Sequence, residues 1–112
     1  MLQAVKLVDY EGDAISRGQI FRLPASWPYE SIVDFMVVDI PGEQCGHSII
    51  VSSGNKSGLV LVQLPIESRS LGHGISKKWI VENWAKWIYP ECPVESVYIF
   101  DRAEAPVQLT VS

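Results

Sequence analysis

Through its first two-thirds the chain carries short apolar runs cut by glycine, proline and small polar residues, the punctuation of a β-protein. The run "QAVKLVDY" reads as a strand that ends in the turn-prone "EGD", residues 11–13. "GQIFRLP" places Ile20 and Phe21 in a short strand closed by Pro24. "SIVDFMVVDIP" is rich in β-branched residues and stops at Pro41-Gly42. "HSIIVSS" and "GLVLVQLP" flank "GNKSG", residues 54–58, and predict a hairpin. Both hairpin strands are apolar at consecutive positions, Ile49-Ile50-Val51 and Leu59-Val60-Leu61-Val62. A strand without a polar face is usually covered on both sides, so both are expected to be inner strands of the sheet.

After "PIESRSLGHG" the period changes. Ser76 is placed to cap a helix, with Gly72 and Gly74 in the loop before it. Trp79, Ile80, Trp84, Trp87 and Ile88 then fall near one stripe, with positions 80, 84 and 88 four apart. Lys77, Lys78, Glu82 and Lys86 take other positions, as a half-exposed helix requires. Pro90 cannot continue the helix and pushes Tyr89 toward an extended backbone. "VESVYIFD" reads as a further strand, and "APVQLTVS" as a last edge strand carrying Pro106. The pattern predicts an α+β fold: a mostly antiparallel sheet of five to seven strands with one principal helix, about residues 76–88, packed on it. Residues 1–112 are expected to form a single domain. Three of the four tryptophans lie on that helix, and a buried aromatic removes ~150–250 Å² from water. Trp79, Trp84, Trp87 and Tyr89 are therefore assigned to the core.

Charge narrows the choice of partner. The net charge is −4, and all of it lies in residues 1–50, where seven acids meet Lys6, Arg17 and Arg22. Residues 51–112 balance six acids against six bases. Nucleic acid demands a clustered basic surface, so it is not expected as a ligand. A basic protein surface is a fitting counterpart, because opposite potentials speed encounter and select orientation. No apolar run approaches the ~20 residues that span a bilayer, and the N-terminus lacks the pattern of a secretory signal. The expected compartment is the cytoplasm, with no membrane contact, and with Cys45 and Cys92 reduced rather than paired.

Chemistry has few footholds. "GNKSG" has Lys56 between its glycines and a strand after it, which is a turn and not a phosphate loop. Cys45 and His47 would share a face of an extended segment, and with His73 they could line the pocket of a small enzyme or ligand-binding domain. Two such residues do not make a metal site, and no metal or cofactor is expected. Asp34 and Asp39 fall on opposite sides of a regular strand, and no nucleophile, base and orienting group stand together, so no catalytic residue is assigned. "ASWPYES" is different: Trp27 and Tyr29 sit in a loop beside Glu30, and aromatic residues next to charge dominate many protein interfaces. Trp27 could equally fold back to plug the end of the core.

The run "VSSGNKSGLVLVQLP" and the later "GISKKWIVENWAKWIYPECPVESVYI" resemble the immunity proteins of bacterial polymorphic toxins, of the contact-dependent growth inhibition type. The residues that carry the likeness are Ser53, Gly54, Lys56, Ser57 and Gly58, then Asn83, Trp84, Trp87, Tyr89 and Pro90. Arg17, Gly18, Pro24, Trp27 and Pro28 of "SRGQIFRLPASWP" add to it, so the resemblance runs from about residue 15 to residue 100. It implies a toxin–antitoxin-like role: stoichiometric neutralisation of the C-terminal domain of a cognate toxin, often a nuclease, with no catalysis by the immunity protein. The resemblance transfers no contact residues. The acidic half and its aromatic loop make Glu11, Asp13, Trp27, Tyr29, Glu30 and Glu43 the candidates for binding that partner.

Overall fold

A computed structural model describes residues 4–39 and 46–101. The alternation in β3 (Ile20–Pro24) and β4 (Ile32–Val38) turns Phe21, Leu23, Val33, Phe35 and Val37 to one side, all buried. These strands pair antiparallel, Phe21 opposite Phe35 and Leu23 opposite Val33. On the other side Arg22 faces Asp34, its Nε 2.7 Å from one carboxylate oxygen and its second guanidinium nitrogen 2.9 Å from the other. This two-pronged pair holds the register on a face where apolar packing does not.

Around that centre the sheet runs β1-β8-β3-β4-β5-β6, with every neighbouring pair antiparallel. Here β1 is Val5–Lys6, β5 Ser48–Val51, β6 Val60–Gln63 and β8 Tyr98–Phe100. A second, two-stranded sheet joins β2 (Ala14–Ile15) to β7 (Ile75–Ser76), and no pattern in the sequence announced it. The six-stranded sheet and the helix below give the α+β architecture expected. Two expectations change. The N-terminal run is a two-residue strand followed by a 3₁₀ turn over Leu7–Asp9, which buries Leu7. And β6 is not an inner strand: β5 lies between β4 and β6, but β6 closes the edge, with Val60 67% exposed. An unbroken apolar run thus fixes neither the cover on a strand's faces nor its neighbours in the plane: Val60 stands exposed, and Leu61 and Val62 are only half-buried. The expected last strand at 105–112 lies outside the described residues, as do Glu43 and Cys45.

The helix forms where the stripe placed it. The Ser76 hydroxyl accepts the Trp79 N–H at 3.2 Å and caps α1 (Lys77–Asn83). A π-helical turn, Trp84–Ile88, extends it, and the Tyr89 N–H closes back on the Trp84 carbonyl at 3.1 Å. Tyr89 then turns extended before Pro90, as the proline requires. Ile80, Trp84 and Ile88 are buried, and Trp84 meets Phe21 edge-on with ring centres 5.3 Å apart. Tyr89 is buried too, whereas Trp79 and Trp87 are half-buried and lean on each other at 6.0 Å at the margin of the core. No helix among the described residues is long and apolar enough to cross a membrane.

Candidate partner interface

The antiparallel pairing brings two connections to one end of the sheet. The 25–31 loop joins β3 to β4 where Pro24 faces Ile32. The turn between β5 and β6 arrives at the same end, because Val51 faces Phe35 and the Ser52 N–H donates to the Asp34 carbonyl at 2.8 Å. The two are tied together by Glu30, whose carboxylate accepts the Asn55 N–H at 3.3 Å and fills the space beside Gly54. Gly54 sits at φ +72°, and a Cβ there would strike the Glu30 carboxylate.

The 25–31 loop is braced from below. The Tyr29 ring stands edge-on to Phe35 and to Tyr89, each with centres 5.9 Å apart. The Ser26 N–H donates to the Tyr89 hydroxyl at 3.1 Å, and the Ser26 hydroxyl donates to Glu91 at 2.6 Å. Within the loop Ala25 N–H reaches the Ser31 carbonyl and Tyr29 N–H the Ser26 carbonyl. Burial, and the neighbouring Tyr89, push the Tyr29 phenol up from its ordinary value. With its supports occupied below, the loop presents Trp27, 89% exposed, after which the Trp27–Pro28 peptide is cis. Trp27 does not plug the core. Ile32 and Leu59, both more than half exposed, lie at this same end of the sheet.

The other candidates lie elsewhere. Glu11 borders a shallow depression at the β1–β8 edge with Val5, Tyr10, Ile99 and Asp101. Asp13 stands exposed before β2, and its carbonyl accepts the Lys77 N–H at 2.9 Å. Trp27, Tyr29 and Glu30 thus share one end, with Tyr29 spent on packing and Glu30 on the neighbouring turn, while Glu11 and Asp13 sit apart from them. Sequence reading missed Leu59 and Ile32 as surface residues, since both look like core in an apolar strand.

His47 and His73 do come together, in a recess of about 440 Å³ lined also by Ser16, Arg17, Asp39, Arg69 and Gly74. The His47 side chain is 7% exposed, with Nε2 3.6 Å from an Asp39 oxygen and Nδ1 buried without a hydrogen-bond partner among the described residues. Burial holds His47 below its ordinary value; Asp39 works against that and Arg69 adds to it. The described thiol, Cys92, is elsewhere: it lies beside Ser26 and Glu91, buried, with its pKa raised by that burial. Among the described residues no three His, Cys, Asp or Glu side chains gather as a metal would need.

Comparison with known proteins finds no match to a curated protein or to a solved structure. The model of one family, Immunity protein 45, matches residues 7–99, a span that takes in the 25–31 loop, the β5–β6 turn and the tryptophan helix; the chain belongs to that family.

Proposed function

We propose that this protein neutralises a cognate toxin by binding its C-terminal domain one to one, through the sheet end that carries Trp27, and that it performs no chemistry itself. The family supports an immunity role with a toxin as the protein partner. The observation that carries the location is Trp27: a large aromatic 89% exposed on a loop fixed by Tyr29, Tyr89 and Glu30. A rigid aromatic loses little conformational freedom on binding, which is why such residues dominate interfaces. The excess of acids in residues 1–50 suits a toxin whose surface is basic, as a nuclease's is, and the protein acts in the cytoplasm of the cell it protects.

The test is co-expression with the product of the neighbouring gene, expected to be the toxin, scored by cell survival and by co-purification at equal stoichiometry. Trp27→Ala is expected to weaken the complex by ~2 kcal/mol or more, about thirtyfold, without lowering the melting temperature. Full affinity in that variant would place the interface elsewhere, and a purified protein that turns over a substrate would end the binding-only reading.

A further inference from the structure

We propose that the recess between β2, β7 and the Asp39–His47 side of the sheet binds an oxyanion, the phosphate or carboxylate group of a small molecule, through Arg17, Arg69 and His73. This site does not depend on how the toxin is bound.

Four separate segments build it. Arg17 comes from the β2–β3 connection, Asp39 from the end of β4, His47 from the start of β5, and Arg69 and His73 from the segment leading into β7. That last segment is held in place: the Ser70 N–H donates to the Gly74 carbonyl at 3.0 Å, its hydroxyl to the His73 carbonyl at 2.8 Å, and Arg69 bridges to Ile75. Gly74, at φ +92°, lies so close to the Ile15 carbonyl that any side chain would collide with it. The wall is therefore built around a fixed backbone rather than being a gap between loose loops.

Its chemistry is opposite to the rest of the molecule. The protein carries a net charge of −4, yet two arginines and a single acidic residue line this recess. Among the described residues neither Arg17 nor Arg69 has an ion-pair or side-chain hydrogen-bond partner, so ten N–H donors' worth of guanidinium edge is uncommitted. His47 adds a side chain more than nine-tenths buried whose Nδ1 is unmatched. Asp39 is turned toward the His47 Nε2, which leaves the arginines to the incoming group. Arginine forks and imidazole donors fit planar or tetrahedral oxyanions, and the volume accommodates a ligand larger than one such group.

The experiment follows the ring signals of His47 and His73 by NMR in the full chain. Inorganic phosphate and acetate are titrated separately at constant ionic strength against a chloride control. Saturable shifts of both rings at millimolar anion or below are expected, and the anion that binds tighter identifies the ligand's group. Arg69→Gln and Arg17→Gln, both at exposed side chains, should each weaken that binding about tenfold, since each removes a charge-assisted hydrogen bond. Asp39→Asn should tighten it by removing the opposing charge. Shifts that merely follow ionic strength, no saturation with either anion, or unchanged affinity in both arginine variants that retain wild-type spectra elsewhere would each overturn the site.

Discussion

Replacing Trp84 by alanine tests the claim that the tryptophan helix is a structural device. The side chain is 1% exposed and meets Phe21 edge-on at 5.3 Å with an interplanar angle of 77°. Removing ~200 Å² of aromatic surface from water is worth ~5 kcal/mol. The edge-on contact adds roughly 1 kcal/mol more. Against these stands the indole Nε1, buried with no hydrogen-bond partner among the described residues, a defect costing ~1–3 kcal/mol that the substitution relieves. The net loss is then ~3–5 kcal/mol, in the usual range for truncating a core tryptophan. A domain of this size holds ~5–15 kcal/mol in all, so the variant sits near the edge of folding. Urea denaturation followed by circular dichroism should show the midpoint falling on the order of 2 M with the slope unchanged. Trp84→Phe sharpens the test, because it keeps a ring against Phe21 and discards the unmatched N–H, so it should cost under ~2 kcal/mol. A midpoint for Trp84→Ala within error of the wild type would refute the core assignment. A cost for Trp84→Phe equal to that of alanine would show that the N–H is bonded after all.

Other perturbations separate the remaining claims. Ser76→Ala removes the acceptor of the Trp79 N–H and should cost ~1 kcal/mol in the same urea assay, whereas Ser76→Asp should retain most of the capping. His47 is held below its ordinary value of 6.5, chiefly by burial, so the unfolded chain takes up the proton first as pH falls. Its contribution to stability is therefore whole above 6.5 and is lost as pH drops from 6.5 through the lower folded-state value. Urea midpoints from pH 8 to pH 5 should fall in that window, and His47→Gln should flatten the fall; an equal slope in the variant would assign it to other groups. For the complex, reversing Glu11 and Asp13 together should slow association only modestly and flatten its salt dependence, while Trp27→Ala should act on dissociation. A large loss of affinity from Glu11 and Asp13 with none from Trp27 would move the interface to the β1–β2 side.

How much of this was legible in the chain depends on distance along it. Ile80, Trp84 and Ile88 are four apart, and helix geometry alone brings them to one face, so their burial could be read from spacing. Ser76 and Pro90 mark the ends for equally local reasons. The β5–β6 hairpin is local too, but its position in the sheet is not. Val60 faces Ile50 on the side away from Val62, and only the pairing of distant strands leaves β6 at the edge with that side chain exposed. The recess is the extreme case: Arg17, Asp39, His47 and Arg69 span more than fifty positions, and no spacing rule joins them. His47 was singled out by its two-residue spacing from Cys45 and His73 by residue type; the arginines that give their surroundings a positive character were not.

The acidity of residues 1–50 suggests a polyanion mimic, but the fold spends those acids in separate places. Asp34 is engaged by Arg22, Glu30 by the Asn55 amide, and Asp39 stands beside His47. Glu11 and Asp13 remain exposed, at positions away from Trp27. Charges dispersed in this way would speed encounter with a basic partner, as the proposed function supposes, yet they do not make a continuous strip that copies a phosphate backbone. On the proposed interface, affinity would come from desolvating the exposed side chains at the Trp27 end, where Ile32 and Leu59 also stand out and where Ser26 is already paired underneath. Electrostatics would choose the class of partner, while the shape around one indole would choose the individual toxin.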